Sequence, residues 1–227
     1  MVLTRPRRLA ALLLLSGVAQ FTVPAPAAAF DLPSLDRIVN YQPKLPLQVF
    51  TADGVEIAQF GTERREYLPL SRTPKLLQDA VLSVEDARFR EHNGVDPKGM
   101  ARALVAAVTG GRRQGASTIT QQLVRTMLLT REFTAERKAK EIWLALKLEQ
   151  ELSKDRILEI YLNEIFLGQR AYGFAAASKT YFGKPLDKLS LAETAMLAGL
   201  PQNPYYANPV ANFERATARQ RVVLERM

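Results

Sequence analysis

Two acidic positions in this chain stand in surroundings that could do chemistry. Glu85 and Asp86 lie side by side in Ser83-Val-Glu-Asp-Ala-Arg-Phe-Arg-Glu-His92, and Glu141 follows Arg137 and Lys138. Helical neighbours point about 100° apart, so only one of Glu85 and Asp86 can face a given cleft. Phe89 would share the face of Glu85 on such a helix. A carboxylate against apolar surface is pushed to higher pKa and becomes a usable general base near neutral pH. The competing reading, a solvated acid on an amphipathic helix, is the one the local pattern alone favours. Glu141 is either one member of a surface ion-pair array, worth about 0.2–0.5 kcal/mol per pair, or a carboxylate held by cations near a phosphate. Gly110-x-x-x-x-Gly115 has the spacing of a phosphate-binding loop. Ala116 stands where that loop needs lysine and no β-rich run precedes Gly110, so the nucleotide reading fails. What remains is Arg112 and Arg113 beside a helix start, where Ser117, Thr118 and free N–H groups either hold an anion or simply cap the helix. His92, the single histidine, is expected in a structural hydrogen bond near a helix end, and Trp143 in the core.

The rest of the chain narrows the partners. Its 227 residues carry 31 Lys and Arg against 23 Asp and Glu, a formal charge of +8, which favours anionic partners. With no cysteine and one histidine, disulfide frameworks, thiolate metal sites and multi-histidine zinc sites are excluded. Arg5, Arg7 and Arg8 precede an apolar run from Leu9 to Val23 and then Ala27-Ala28-Ala29. Residues 1–29 therefore read as an export signal or an uncleaved membrane anchor, with the following domain across the membrane. That placement argues against a nucleic-acid partner despite the basic charge.

The elements that must position these groups are mostly helical. Residues 30–46 are Pro-rich and read as a linker, and 47–227 as the functional domain. The β-rich flanks of Asp53-Gly54 predict a hairpin over 48–60. Thr73-Pro74 opens a helical segment that Gly94 can close, and Asp96-Pro97 opens another. Ser117 to Gln122 leads into a further helix, Thr134 to Leu152 is rich in helix formers, and Ser153 caps a helix that Gly168 ends. Ser190-Leu-Ala-Glu193 is a capping box. The expected class is mainly α with a small β hairpin near the N-terminus.

Together the strings are specific. Glu85-Asp-x-x-Phe89-x-x-His92-x-Gly94-x-Asp96 resembles the first motif of the peptidoglycan glycosyltransferases (glycosyltransferase family 51). Gly115-Ala-Ser-Thr-Ile-Thr-Gln-Gln122 resembles the second and Arg137-Lys-x-x-Glu141 the third. Lys154-Asp-Arg-Ile-Leu-Glu-x-Tyr-Leu-Asn163 is similar to the fourth, and Arg219-x-x-x-Val223-Leu224 to the fifth. Residues 48–60 and Arg170-Ala-Tyr-Gly173 further resemble the class A penicillin-binding proteins of the 1A type.

The resemblance implies a lysozyme-like, two-lobed glycosyltransferase domain with a small membrane-embedded jaw, acting on lipid II and a growing glycan strand. Glu85 would deprotonate the acceptor GlcNAc 4-hydroxyl, which attacks the donor MurNAc C1 with inversion and expels undecaprenyl pyrophosphate. Glu141 would serve the donor side, directly or through a divalent cation such as magnesium or manganese. Asp86, Phe89, Ser117, Thr118, Gln121, Gln122, Arg125, Arg137, Lys138 and Asn163 fall on motif positions that would bind substrate. The implied setting is the periplasmic face of a bacterial inner membrane, among other cell-wall synthesis proteins. Phe133 stands where many relatives carry arginine; the nearest is Arg131. No Ser-x-x-Lys or Lys-Thr-Gly occurs, so no transpeptidase domain is expected here. The rival readings are a lysozyme-like glycan-cleaving enzyme and an inactive membrane-tethered scaffold that binds lipid II.

Overall fold

The computed structural model describes residues 32–110, 115, 117–130 and 132–227. The signal or anchor segment, Arg112, Arg113, Ala116 and Arg131 lie outside the described residues. The expected class is borne out: helices dominate, with a hairpin near the start. In that hairpin β1 (Leu47–Phe50) pairs antiparallel with β2 (Glu56–Phe60), Leu47 opposite Phe60, with a bulge between Val49 and Phe50. Gly54 takes φ +87° in the turn, where a side chain would be strained. A second small ladder joins β3 (Arg64–Arg65) in parallel to β4 (Ala171–Tyr172).

The core is built where apolar residues recur at helical spacing. On α2 (Lys75–Glu85), Leu77, Ala80, Val81 and Val84 are buried at i, i+3, i+4 and i+7. They join one cluster with Ile119, Leu123 and Val124 of α4 (Ile119–Leu128), Leu144 and Leu148 of α5 (Ala135–Glu151), and Ile157, Leu158 and Tyr161 of α6 (Lys154–Glu164). Phe174 of α7 (Phe174–Phe182), Leu197 of α8 (Leu191–Ala198) and Val223 of α9 (Phe213–Arg226) close the cluster. The helix α3 (Pro97–Val108) behaves differently and leaves Met100, Leu104, Val105 and Val108 exposed.

Local hydrogen bonds set most helix starts. Asp96, Thr118, Thr134 and Ser153 each accept a backbone N–H from the first turn they precede, and Ser190 with Glu193 forms the reciprocal capping box. Elsewhere the structure corrects the sequence reading. The stretch expected as a linker contains a short helix, α1 (Asp36–Val39), and is packed on the domain: Ile38 and Tyr41 are buried, and Arg37 donates to the Met127 carbonyl at 2.9 Å. Thr73 makes no cap, and the helix begins after Pro74. That helix stops at Glu85, well short of Gly94, and α6 stops at Glu164 rather than Gly168. Trp143 is 51% exposed on α5 instead of lying in the core. Among the described residues no helix is long and apolar enough to cross a membrane.

Candidate active site

Glu85 sits at the last helical position of α2 because Asp86 is drawn out of the helix. The Asp86 carboxylate accepts the Ile119 backbone N–H at 3.0 Å, and His92 Nε2 lies 3.0 Å from both its oxygens. A charged acceptor on a free N–H at a helix start is stabilised by the helix dipole. The loop continues to Gly94, whose φ of +86° and close approach to α5 exclude a side chain: a Cβ there would meet the Ala145 carbonyl oxygen at 2.7 Å. The Gly94 carbonyl in turn accepts the Thr118 hydroxyl at 2.7 Å. This first loop therefore clamps the start of α4, and the clamp fixes what α4 presents to Glu85.

From α4, Gln122 Nε2 donates to Glu85 Oε2 at 2.9 Å, while Gln122 Oε1 accepts the Tyr161 hydroxyl at 3.2 Å. Glu85 Oε1 has no hydrogen-bond partner; Arg219 Nη2 lies 3.6 Å away. Burial raises the Glu85 pKa, and Gln122, Arg219, Arg226 and Arg125 oppose that rise. Glu85 lines two adjoining cavities of about 340 and 250 Å³, sharing Val84, Gly115, Ser117 and Arg226 between them. Arg88 and Arg102 stand in the larger, Arg125 and Arg219 in the smaller. The result is a carboxylate with one oxygen that accepts no hydrogen bond, at the wall of a cleft lined by cations.

The second acid is on the other side of α4. Glu141 is 0% exposed, with one oxygen on Arg137 Nη1 at 2.5 Å and the other on Lys138. Lys138 Nζ also lies 3.1 Å from Ser117 Oγ and 3.0 Å from Gln121 Oε1. The surface ion-pair reading is therefore overturned: this acid is buried, pairs with two cations and holds one of them, Lys138, at the α4 start. Both its oxygens are committed to those cations, and among the described residues no group of three His, Cys, Asp or Glu side chains could share an ion. This donor set does not fit a divalent ion held by Glu141.

Of the residues singled out in the sequence, Glu85, Asp86, Ser117, Thr118, Gln122 and Arg125 line the two cavities. Gln121, Arg137, Lys138 and Glu141 form a cluster around the buried Glu141 carboxylate, joined to Ser117 through Lys138. Two others are not brought to the cleft. Phe89 is outside α2, so it does not share the face of Glu85; it is 1% exposed, with Lys154 Nζ 4.4 Å from its ring centre. Asn163 is a latch. Its Nδ2 donates to the carbonyls of Leu68 and Glu159, and its Oδ1 accepts the Leu68 N–H. Phe133 is 97% exposed, with the Arg137 guanidinium 5.7 Å from its ring. Sequence reasoning missed Arg226, which lines both cavities and donates to the Val84 carbonyl at 2.9 Å. Its signal was present: Arg219 and Arg226 are seven apart, two turns of one helix, and so share a face.

Residues 53–227 match the protein-family model described as Transglycosylase. Penicillin-binding protein 1A of Neisseria flavescens is 50% identical over 218 residues, covering 93% of this chain and 27% of that protein. Penicillin-binding protein 1A of Vibrio cholerae is 50% identical over 198 residues, covering 87% and 24%. The chain thus spans about a quarter of the length of these curated relatives. The crystal structure of penicillin-binding protein 1A from Haemophilus influenzae is 31% identical, with a TM-score of 0.43, covering 82% of this chain and 18% of that one.

Proposed function

Because this chain belongs to the transglycosylase family, we propose that it is a peptidoglycan glycosyltransferase that polymerises lipid II into linear glycan strands. The observation that carries the mechanism is the Oε1 of a largely buried Glu85, which accepts no hydrogen bond and faces Arg219 in a cleft lined by arginines. Glu85 takes the proton from the GlcNAc 4-hydroxyl of lipid II as that oxygen attacks C1 of the growing chain's MurNAc. The new C1–O4 bond forms with inversion, the C1–O bond to pyrophosphate breaks, and undecaprenyl pyrophosphate leaves with the electron pair. A raised pKa suits the base, since proton transfer is most effective when its pKa approaches the working pH.

The leaving group needs fixed positive charge in a water-poor site, where preorganised charge stabilises a transition state most. Arg125 in the cleft and the Arg137–Lys138 pair behind Ser117 supply it. In this reading Glu141 acts through those cations, holding their side chains in place, and needs no metal ion. The exposed apolar side chains of α3 and the +8 charge fit work at an anionic bilayer surface, where a lipid-linked substrate resides.

The test is polymerisation of labelled lipid II by the detergent-solubilised chain, beside Glu85→Gln, which keeps the shape and removes the base. Polymer from the parent and almost none from the variant is the expected result. Equal polymer from both removes Glu85 from the role of base. Lipid II bound without turnover by either points to a scaffold, and release of reducing ends from sacculi to a hydrolase.

A further inference from the structure

Glu85 is reached by one hydrogen-bond donor, and that donor belongs to a side chain that can face either way. A glutamine amide fills nearly the same space when it is turned over, exchanging a donor for an acceptor. What decides its direction lies one step further in. Tyr161 is 1% exposed, and its hydroxyl, 3.2 Å from Gln122 Oε1, meets the oxygen end of the amide. A buried O–H left without an acceptor is costly, and the amide oxygen removes that cost. If Gln122 turned over, the Tyr161 hydrogen would lose its acceptor and the amide oxygen would face the Glu85 carboxylate, oxygen against oxygen.

We propose that Tyr161 is a positioning residue that holds Gln122 in the orientation that donates to Glu85. This rests on the reading of Glu85 as the base. With the hydroxyl present, Gln122 donates to Glu85 in either protonation state, and more strongly to the ionised carboxylate. The ionised form is thereby favoured against the burial that opposes it. With phenylalanine at this position nothing fixes the amide. Gln122 can then turn its oxygen to accept from a protonated Glu85, so the neutral, inactive form gains an acceptor for its O–H that it lacks in the parent. The charged groups that face Glu85 are Arg125 from α4 and Arg219 and Arg226 from α9, and all three are unchanged by this substitution.

The experiment is the pH–rate profile of lipid II polymerisation for the parent, Tyr161→Phe, Gln122→Met and the double variant, with thermal melting to confirm that each is folded. The expected result for Tyr161→Phe is an acid limb moved upward by about half a pH unit or more, with the rate at alkaline pH recovering toward the parent. In the Gln122→Met background the same Tyr161→Phe change moves the limb no further. 3-Fluorotyrosine placed at position 161, a stronger donor of nearly the same size, moves the limb downward, and it serves where Tyr161→Phe does not fold. An unmoved limb in Tyr161→Phe, or an equal movement with Gln122 already replaced, overturns the proposal. Full turnover by Glu85→Gln overturns the base reading instead, so the two failures are distinguishable.

Discussion

Replacing Glu141 by Gln isolates what a fully buried carboxylate does for two cations. Its side chain is 0% exposed, against 12% for Arg137 and 39% for Lys138. Removing one partner of a buried ion pair costs about 3–5 kcal/mol, because the other charge is left desolvated and unpaired. Two features lower that figure here. The Lys138 side chain reaches solvent, which screens it, and the Gln oxygen still accepts from one cation. We therefore expect Glu141→Gln to destabilise the fold by about 2–3 kcal/mol, a fall in Tm of roughly 4–12 °C for a chain of this length. Differential scanning calorimetry measures the fall, and polymerisation is assayed well below both melting points. Turnover should also drop, since Lys138 loses the charge that aims it at Ser117 and Gln121. The decisive comparison repeats the substitution in an Arg137→Ala, Lys138→Ala background, where no cation remains to be stranded and the cost should vanish. A Tm unchanged by Glu141→Gln in the parent, with turnover lost, would refute the role given to Glu141 and leave a direct part in the chemistry.

Three further outcomes follow from the same geometry. Asn163→Ala leaves the Leu68 N–H and carbonyl without their partner and should lower stability by about 2–3 kcal/mol, while KM for lipid II at a temperature below melting stays that of the parent. Burial holds the Glu85 pKa above its ordinary value of 4.5, so the folded state binds that proton more tightly than the unfolded chain. The stability from this group is fully present below the ordinary value and is lost as pH rises through the raised one. Glu85→Gln has no proton to lose, so its Tm should gain on the parent as pH rises above the ordinary carboxylate range, as melting curves taken below and above that range will show. Chelation by EDTA should leave the polymerisation rate within about two-fold of the untreated protein, because both Glu141 oxygens are already held by cations.

How much of this could be read from the residues depended on how far away their partners lie. The hairpin at Asp53-Gly54 and the helix starts at Asp96, Ser153 and Ser190 were legible because each is settled by groups within a few positions. The end of α2 was not. It is fixed by the bond from Ile119 to Asp86, across 33 positions, and no local window contains that bond. The same distance explains why Phe89 was placed beside Glu85 and why the linker was expected to be free of the domain. Asn163 and Glu141 depart from the local pattern in opposite directions. A motif asparagine proved to be occupied with backbone, and an acid with the spacing of a surface pair proved to be buried.

The adjacency rule that separates Glu85 from Asp86 applies once more at Gln121 and Gln122. Neighbouring helix positions point about 100° apart, and here that angle is put to use: Gln121 turns to Lys138 and the Glu141 cluster, and Gln122 turns to Glu85. The first turn of α4 therefore sits between Glu85 and Lys138. Its start is clamped from the base side by Asp86 and Gly94, so any shift of that turn moves both contacts together. Spacing between Glu85 and Lys138 is thus a property of one helix start, and substitutions in the loop from Ala87 to Gly94 act on both without touching either.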